Sequence, residues 1–293
     1  MADIVSIYKP KIVVLTESVC FVPDADAEEK YFAAYINAFA GLIEQSPEQV
    51  AGFFFRTRNE VDMKPHQFGL EIDGKIVAPA TDIFIKARVC AQSFLQQKEE
   101  NSAEWTGQLD ALHKIGLAQY ITTLRHDFLV TVQVLRERGI AVYIVADTDP
   151  EYVRSRLMEC GEEHEWVRQS VLGPVERNRI ADEQTENASV HHMMLEGMIP
   201  GLMRPLYAYR SVYHTVLKNI LALHQDQQAT MRDMVVVGEV LETDLLLPAV
   251  LGASGVLLCT PRTPVYEHRW VMSGIVTGLK LRGIRFLSEV LNP

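Results

Sequence analysis

Residues 11–22 read KIVVLTESVCFV. Ile12 to Leu15 is an unbroken apolar run rich in β-branched side chains, and it stops at a short polar stretch, Thr16, Glu17 and Ser18. A strand buried on both faces of a parallel sheet reads in this way, and the carboxyl end of such a strand is where functional side chains are delivered. The rest of the chain decides whether that sheet forms and what the three polar residues do at its edge.

Downstream, Pro23 and the acidic DADAEEK precede YFAAYINAFAGLIEQ, where Tyr31, Tyr35, Ala38 and Leu42 recur at helical spacing. A Ser-Pro pair at Ser46 predicts another helix start, and GLEIDGKIVA predicts a β-hairpin turning at Asp73-Gly74, followed by a further helix. Residues 23–120 are expected to form an inserted, mainly helical subdomain. RHDFLVTVQVLRERG then reads as a helix closed by Gly139, a residue that adopts the left-handed cap at little cost. The strand IAVYIVADTD follows, and Pro150 opens the next helix. Residues 173–201, polar at first and Met-rich later, read as an irregular insertion with one helix. Helix RSVYHTVLKNILALHQ, strand MVVVGE, helix TDLLLPAVLGA and strand GVLLC complete the pattern. Strands alternating with helices predict an α/β fold with a doubly wound, mostly parallel sheet built from residues 1–22 and 121–293.

The chain has 293 residues, of which 48% are hydrophobic and 23% charged, as in an ordinary globular protein. With 28 Lys and Arg against 38 Asp and Glu the formal charge is −10. That balance argues against nucleic-acid binding, which needs a basic face to neutralise phosphates. Leu245 to Leu258, the most apolar later stretch, contains a Pro and Gly residues and is shorter than the roughly 20 residues of a membrane span. MADIVSIYKPKIVVL has neither a basic start nor a signal-like apolar core, so no export signal is expected. Cys20, Cys90, Cys160 and Cys259 show no CxxC spacing and read as reduced thiols of a cytoplasmic protein.

VVVGEVLETDLLLPAVLGASGVLL, residues 235–258, resembles the fourth motif of the haloacid dehalogenase-like superfamily. That motif is a strand, Gly-Asp, four residues, a second Asp and a helix; Gly238, Glu239 and Asp244 take those places here. IVADTDPEYVRSRLMECG is similar to the family's second strand and following helix, KIVVL has the position of its first strand, and the insertion sits where many members carry a cap. The resemblance implies a Rossmannoid core with a cap and, in working members, Mg²⁺-dependent phosphoryl or hydrolytic chemistry. Two aspartates after the first strand would supply the nucleophile and the acid/base, and those positions fall on Thr16 and Ser18. A carboxylate is ionised at neutral pH and both attacks phosphorus and binds a hard cation; a hydroxyl without an adjacent base does neither. Ala146 stands where the family has a phosphoryl-binding Ser or Thr, Thr148 being reached only by a slip of two, and the family Lys is represented by Arg204 or Arg210. Glu239 and Asp244 alone keep their chemical kind.

These departures point to a catalytically inactive member that serves as a protein-binding or adaptor subunit, within a larger bacterial-type assembly or by self-association, with no resident cofactor. Phe53, Phe54 and Phe55 of the insertion and Met193, Met194, Met198 and Met203 of the Met-rich run are the candidate contact residues, since methionine recurs at adaptable binding faces and three consecutive phenylalanines cannot all point inward from a strand. The alternative is an active hydrolase or phosphatase in which Thr16, Ser18 or Cys20 is activated by His126, His191, His192, His214 or His268, with Mg²⁺ in the phosphatase form. A third reading is a sensor whose vacated pocket takes a small anion. Against any chemistry, Thr16 and Ser18 read as turn residues, Cys20 as a buried thiol, His191-His192 as loop, and Glu239 with Asp244 as acids that complement a helix dipole. On a strand-like tip Glu17 would point away from Thr16 and Ser18.

Overall fold

In the computed structural model the chain divides into two compact units, one formed by Met1–Phe21, Leu124–Ile199 and Tyr207–Pro293, the other by Val22–Thr123 and Pro200–Leu206. The structure describes residues 10–72, 74–100, 102–147, 149–177, 194–195, 202, 204–261, 263–273 and 280–291. Thr148, His191, His192, Met193, Met198 and Met203 lie outside the described residues, and Met194 falls in the two-residue strand Met194–Leu195.

The first unit holds a six-stranded sheet of Ile12–Thr16, Ala141–Val145, Val171–Leu172, Met234–Gly238, Ser254–Leu258 and Lys280–Ile284. Every pairing in it is parallel. Numbered along the chain, the strands lie across the sheet in the order 3-2-1-4-5-6, the order of doubly wound dinucleotide-binding sheets. The direction of winding reverses between the first and fourth strands, so the crevice opens where Ile12–Thr16 and Met234–Gly238 end. Leu15 pairs with Val237 and Thr16 with Val145, which brings the tips of the first, second and fourth strands to one level. The expected doubly wound, mostly parallel α/β core is the one observed.

The central strand is buried over its whole length. Val13 and Leu15 pack with Phe128, Val132 and Leu135 of helix Phe128–Glu137, while Ile12 and Val14 face the other side of the pleat. Local signals act as read: Gly139 sits at φ +74, and Asp149 caps helix Pro150–Arg156 by accepting from the Glu151 amide at 2.9 Å. TDLLLPAVLGA departs from the reading, because a π-helical turn at Leu241–Leu245 precedes a short helix, Leu246–Val250. Two strands give no sequence signal. Val171–Leu172 has two residues, and Lys280–Ile284 (KLRGI) is an edge strand whose Lys and Arg suit an unpaired margin but break any apolar run.

The second unit packs helices Ala27–Leu42, Pro47–Met63, Ile83–Gln97 and Thr106–Leu117 with an antiparallel hairpin, Gly69–Ile72 and Lys75–Pro79. Gly74 takes φ +73 in its turn. The buried stripe of the first of these helices runs Tyr31, Tyr35, Phe39; Leu42, its last residue, is exposed. The phenylalanine trio lies on a helix, not a strand, so about 100° separates successive side chains. Phe54 is buried against Phe39 with centroids 5.5 Å apart, Phe53 is half-buried against Phe94, and Phe55 is 67% exposed. No described helix is long and apolar enough to cross a membrane.

Gly238 ends the fourth strand, and a Cβ there would lie 2.3 Å from the Asp244 Cβ. Gly238→Ala is expected to destabilise the chain by about 1–3 kcal/mol through that overlap. Gly41→Ala, on a helix with nothing within 4 Å, is expected to be neutral or to stabilise by up to about 1 kcal/mol. Denaturant midpoints of the two variants check the contrast.

Candidate functional site

Thr16 is fully buried at the end of the first strand, and Glu17–Cys20 forms a single helical turn there rather than an extended tip. The Thr16 and Ser18 hydroxyls lie 3.1 Å apart and bond each other. Glu17 does not turn away: its Oε2 accepts from the Asp147 amide at 3.1 Å, across the tip of the second strand. The Cys20 thiol sits 3.6 Å from the Thr16 carbonyl oxygen, and burial, reinforced by the charge of Glu17, pushes its pKa well up. Cys20 is therefore held as a thiol and is not a nucleophile at neutral pH.

Asp147 follows the second strand and meets Arg177, which arrives on the loop after the third. Val175 donates its amide to Ala146 O at 2.9 Å, and Gly173 permits the approach, because a Cβ on it would lie 2.6 Å from that same oxygen. The Arg177 guanidinium pairs with both carboxylate oxygens of Asp147 through Nε and Nη2, and its Nη1 donates to Oδ1 of Asp244. The Arg177 side chain is 8% exposed and that of Asp244 is 1% exposed. Asp244 Oδ2 accepts from the amides of Glu239 at 2.9 Å and Val240 at 3.1 Å, while Oδ1 also accepts from Thr243 Oγ1 at 2.8 Å. Two oxygens with about four lone-pair sites thus face four donors. Glu239 Oε1 accepts from Arg125 Nη2 at 2.8 Å, and Arg125 Nε in turn donates to Val19 O at 2.9 Å.

Of the two arginines read as stand-ins for the family Lys, Arg210 is fully buried at the start of helix Ser211–Ala222, whereas Arg204 belongs to the other unit and donates to Pro205 O at 3.4 Å. Tyr213, two residues into that helix, donates its hydroxyl to Asp244 O at 3.0 Å; burial raises its pKa, the Asp244 charge adds to this, and Arg177 and Arg210 oppose it. Arg177 bonds Asp147 and Asp244, and Arg125 bonds Glu239; the sequence reading passed over both cations.

Mg²⁺ needs hard oxygens with lone pairs to spare. Here Asp244 is saturated, Glu239 is bonded by Arg125, and the first-strand position is a neutral hydroxyl. Among the described residues no group of three or more His, Cys, Asp or Glu side chains is placed to hold a metal. The described residues do not fit the Mg²⁺ that the sequence resemblance implies.

Among the described residues no histidine hydrogen-bonds Thr16, Ser18 or Cys20. His214 Nδ1 pairs with the Tyr209 hydroxyl at 3.3 Å, and His268 lines an open cavity of about 380 Å³ with Cys259, Thr260, Thr263 and Arg285, beside the ends of the fifth and sixth strands. Glu267, on helix Val265–Ser273, also escaped the sequence reading. It is wholly buried, and its Oε2 accepts from the Leu241 amide, the first of the π-helical turn, at 2.9 Å. Burial raises its pKa to about 8; bonds from the backbone amides of Leu241 and Glu242 oppose the shift, and the charges of Glu242 and Asp244 add to it. An acid in a short polar helix carries no signal in the chain, and neither does a lone Arg in a loop.

No family model matches the sequence, and no curated protein matches it. Solved structures do. A predicted phosphoglycolate phosphatase from Haemophilus somnus 129PT is 12% identical, covering 96% of each chain at a TM-score of 0.46. A HAD family hydrolase from Deinococcus radiodurans R1, with bound phosphate and sodium, is 12% identical, with 97% of this chain and 94% of that chain covered and a TM-score of 0.46. A 2-haloacid dehalogenase from Pseudomonas syringae pv. Tomato DC3000 is 12% identical, covering 96% of each chain at a TM-score of 0.43. Likeness at this level carries no activity over to the present chain.

Glu267 links stability to pH. Between its ordinary value of 4.5 and about 8 the folded chain holds a proton that the unfolded chain has released, so its contribution is complete below about 4.5 and is lost as pH rises through about 8. Melting temperature measured from pH 5 to pH 8.5 is expected to fall less steeply for Glu267→Gln than for the parent, the neutral amide being unable to ionise.

Proposed function

We propose that this chain is a haloacid dehalogenase-like protein without the family's phosphoryl chemistry, acting as a protein-binding or adaptor subunit in the cytoplasm, as part of a larger bacterial-type assembly or by self-association. The observation that carries the reading is the state of the crevice acids. Asp244 and Glu239 are each bonded by an arginine, at a sheet edge where the two attacking and proton-transferring positions are Thr16 and Ser18. A hydroxyl pair that bonds no histidine or lysine among the described residues does not supply the group that general acid/base work requires near neutral pH. The contact surface proposed for a partner is the exposed side of helix Pro47–Met63, where Phe55 is 67% and Met63 74% exposed. Large apolar side chains left in water at that level favour a protein contact. Phe54 serves the core of its unit, so the interface role proposed for the trio rests on Phe55 with Phe53 beside it.

The active alternative is decided by turnover. Phosphate esters and acyl esters, each with and without Mg²⁺ or Mn²⁺, are expected to be left unchanged beyond the rate of the protein-free blank. Hydrolysis that disappears in Thr16→Ala or Ser18→Ala would overturn the reading and assign one of those hydroxyls as nucleophile. On the binding side, a companion that co-purifies with the parent protein is expected to be lost from Phe55→Glu, with the melting temperature of the variant kept; retention of the same companion by that variant would remove this surface from the proposal.

A further inference from the structure

We propose that the Arg177 guanidinium is a built-in counter-cation of the crevice, tethered between Asp147 and Asp244 where a divalent ion would otherwise be drawn, so that the folded chain is indifferent to Mg²⁺ and becomes a Mg²⁺-binding protein when Arg177 is removed. The inference rests on the reading of the crevice given above and adds what replaces the metal there.

Three observations converge on it. First, the guanidinium does not cap one acid; it spans two, taking both oxygens of Asp147 and one of Asp244. Those acids follow the second and fourth strands, and the first strand lies between them in the sheet, so the bridge crosses the position at which Thr16 ends. Second, the bridge is withdrawn from solvent on the Asp244 side, where charge compensation is strongest and an uncompensated carboxylate most costly. Third, the loop is built to deliver this side chain: Gly173 passes against Ala146 O, and the Val175 amide fastens the loop to that oxygen two residues before Arg177. Glu239 has its own cation in Arg125, so Arg177 answers for Asp147 and Asp244 specifically.

Removal of the guanidinium leaves two carboxylates facing one another with Glu17 held nearby on the Asp147 amide. Mg²⁺ keeps several of its waters and binds through one or two carboxylates, so these acids are a sufficient donor set once the fixed charge has gone. A planar, five-donor fork and a small hydrated dication compete for the same oxygens.

The experiment is a thermal melt of the parent and of Arg177→Met in increasing MgCl₂, each point matched by KCl of equal ionic strength. The parent is expected to show no rise beyond its KCl control. Arg177→Met is expected to show a saturable, Mg²⁺-specific rise of about 2–4 °C, the shift that a tenfold excess over the dissociation constant gives a chain of this order of size. A Mg²⁺-specific rise of equal size in the parent overturns the proposal, because the acids would then be open with the arginine present. A folded Arg177→Met that ignores Mg²⁺ overturns it too. If Arg177→Met does not fold in KCl, recovery of the fold in MgCl₂ supports the proposal. Failing that, Arg177→Met combined with Asp244→Asn, which neutralises the buried partner, decides: folding of the double variant supports charge compensation as the role of Arg177, and its failure to fold overturns it. Metal-independent turnover by the parent would sink the proposed function while leaving this inference standing, and a Mg²⁺ response of the parent without turnover would do the reverse.

Discussion

One guanidinium between two carboxylates holds the carboxyl edge of the sheet together. Arg177 ties the loop after the third strand, and with it the tip of the second, to the turn after the fourth; the second and fourth strands do not pair with each other. Burying such charges is costly unless every donor and lone pair is used. Here Asp244 has backbone, hydroxyl and guanidinium donors, and Asp147 takes the fork of the arginine on both oxygens, three of the five guanidinium donors being spent in this way. Breaking a pair of this kind by deleting one partner costs about 3–5 kcal/mol, most of it from the charge left behind. The network is therefore a poor source of net stability but a strict constraint on geometry.

That constraint explains two irregularities. Asp244 reaches back to the amides of Glu239 and Val240, which brings it against the end of the fourth strand, and only a residue without a Cβ leaves room there; Gly238 is that residue. The turn between them is widened to a π-helical one, Leu241–Leu245, and its first amide is taken by Glu267 from the neighbouring helix. A second ionised acid beside Asp244 would repel it, and burial already disfavours charge on Glu267, so a protonated carboxyl at neutral pH meets both demands.

The sheet was legible because its buried strands are short apolar runs that end in polar tips, and KIVVL, AVYIV and MVVVG all carry that mark. Strand Lys280–Ile284 was not, since an edge strand keeps its charges, and Val171–Leu172 is too short to show a period. The crevice was half legible. Thr16, Ser18 and Glu239 stand at or just past strand ends, and the motif resemblance picked them out together with Asp244 of the turn that follows. Arg177 stands in a loop without periodicity, and it reaches the crevice only because Gly173 lets the backbone pass close to Ala146. Glu17 was misdirected for a related reason: the tip was read as extended, and a single helical turn aims its carboxylate across the second strand instead. In the second unit the same confusion of strand and helix hid which phenylalanine would be exposed, because alternation and a 100° step assign opposite partners to Phe54 and Phe55.

A tethered cation and a bound metal differ in more than identity. The occupancy of a metal site follows the concentration of the ion, while a side chain fixed by its own loop is present whenever the chain is folded. A metal also keeps exchangeable positions for an incoming oxygen, whereas the guanidinium spends three donors on Asp147 and Asp244, and Asp244 has no lone pair left to share. The neutral hydroxyls at the first-strand tip and the tethered Arg177 are thus electrostatically matched. Two further acids at Thr16 and Ser18 would face Asp147, Asp244 and Glu17 with Arg177 and Arg125 to balance them, and the hydroxyls that stand there add no charge at all. The acids of the crevice thus have their charges satisfied from within the chain.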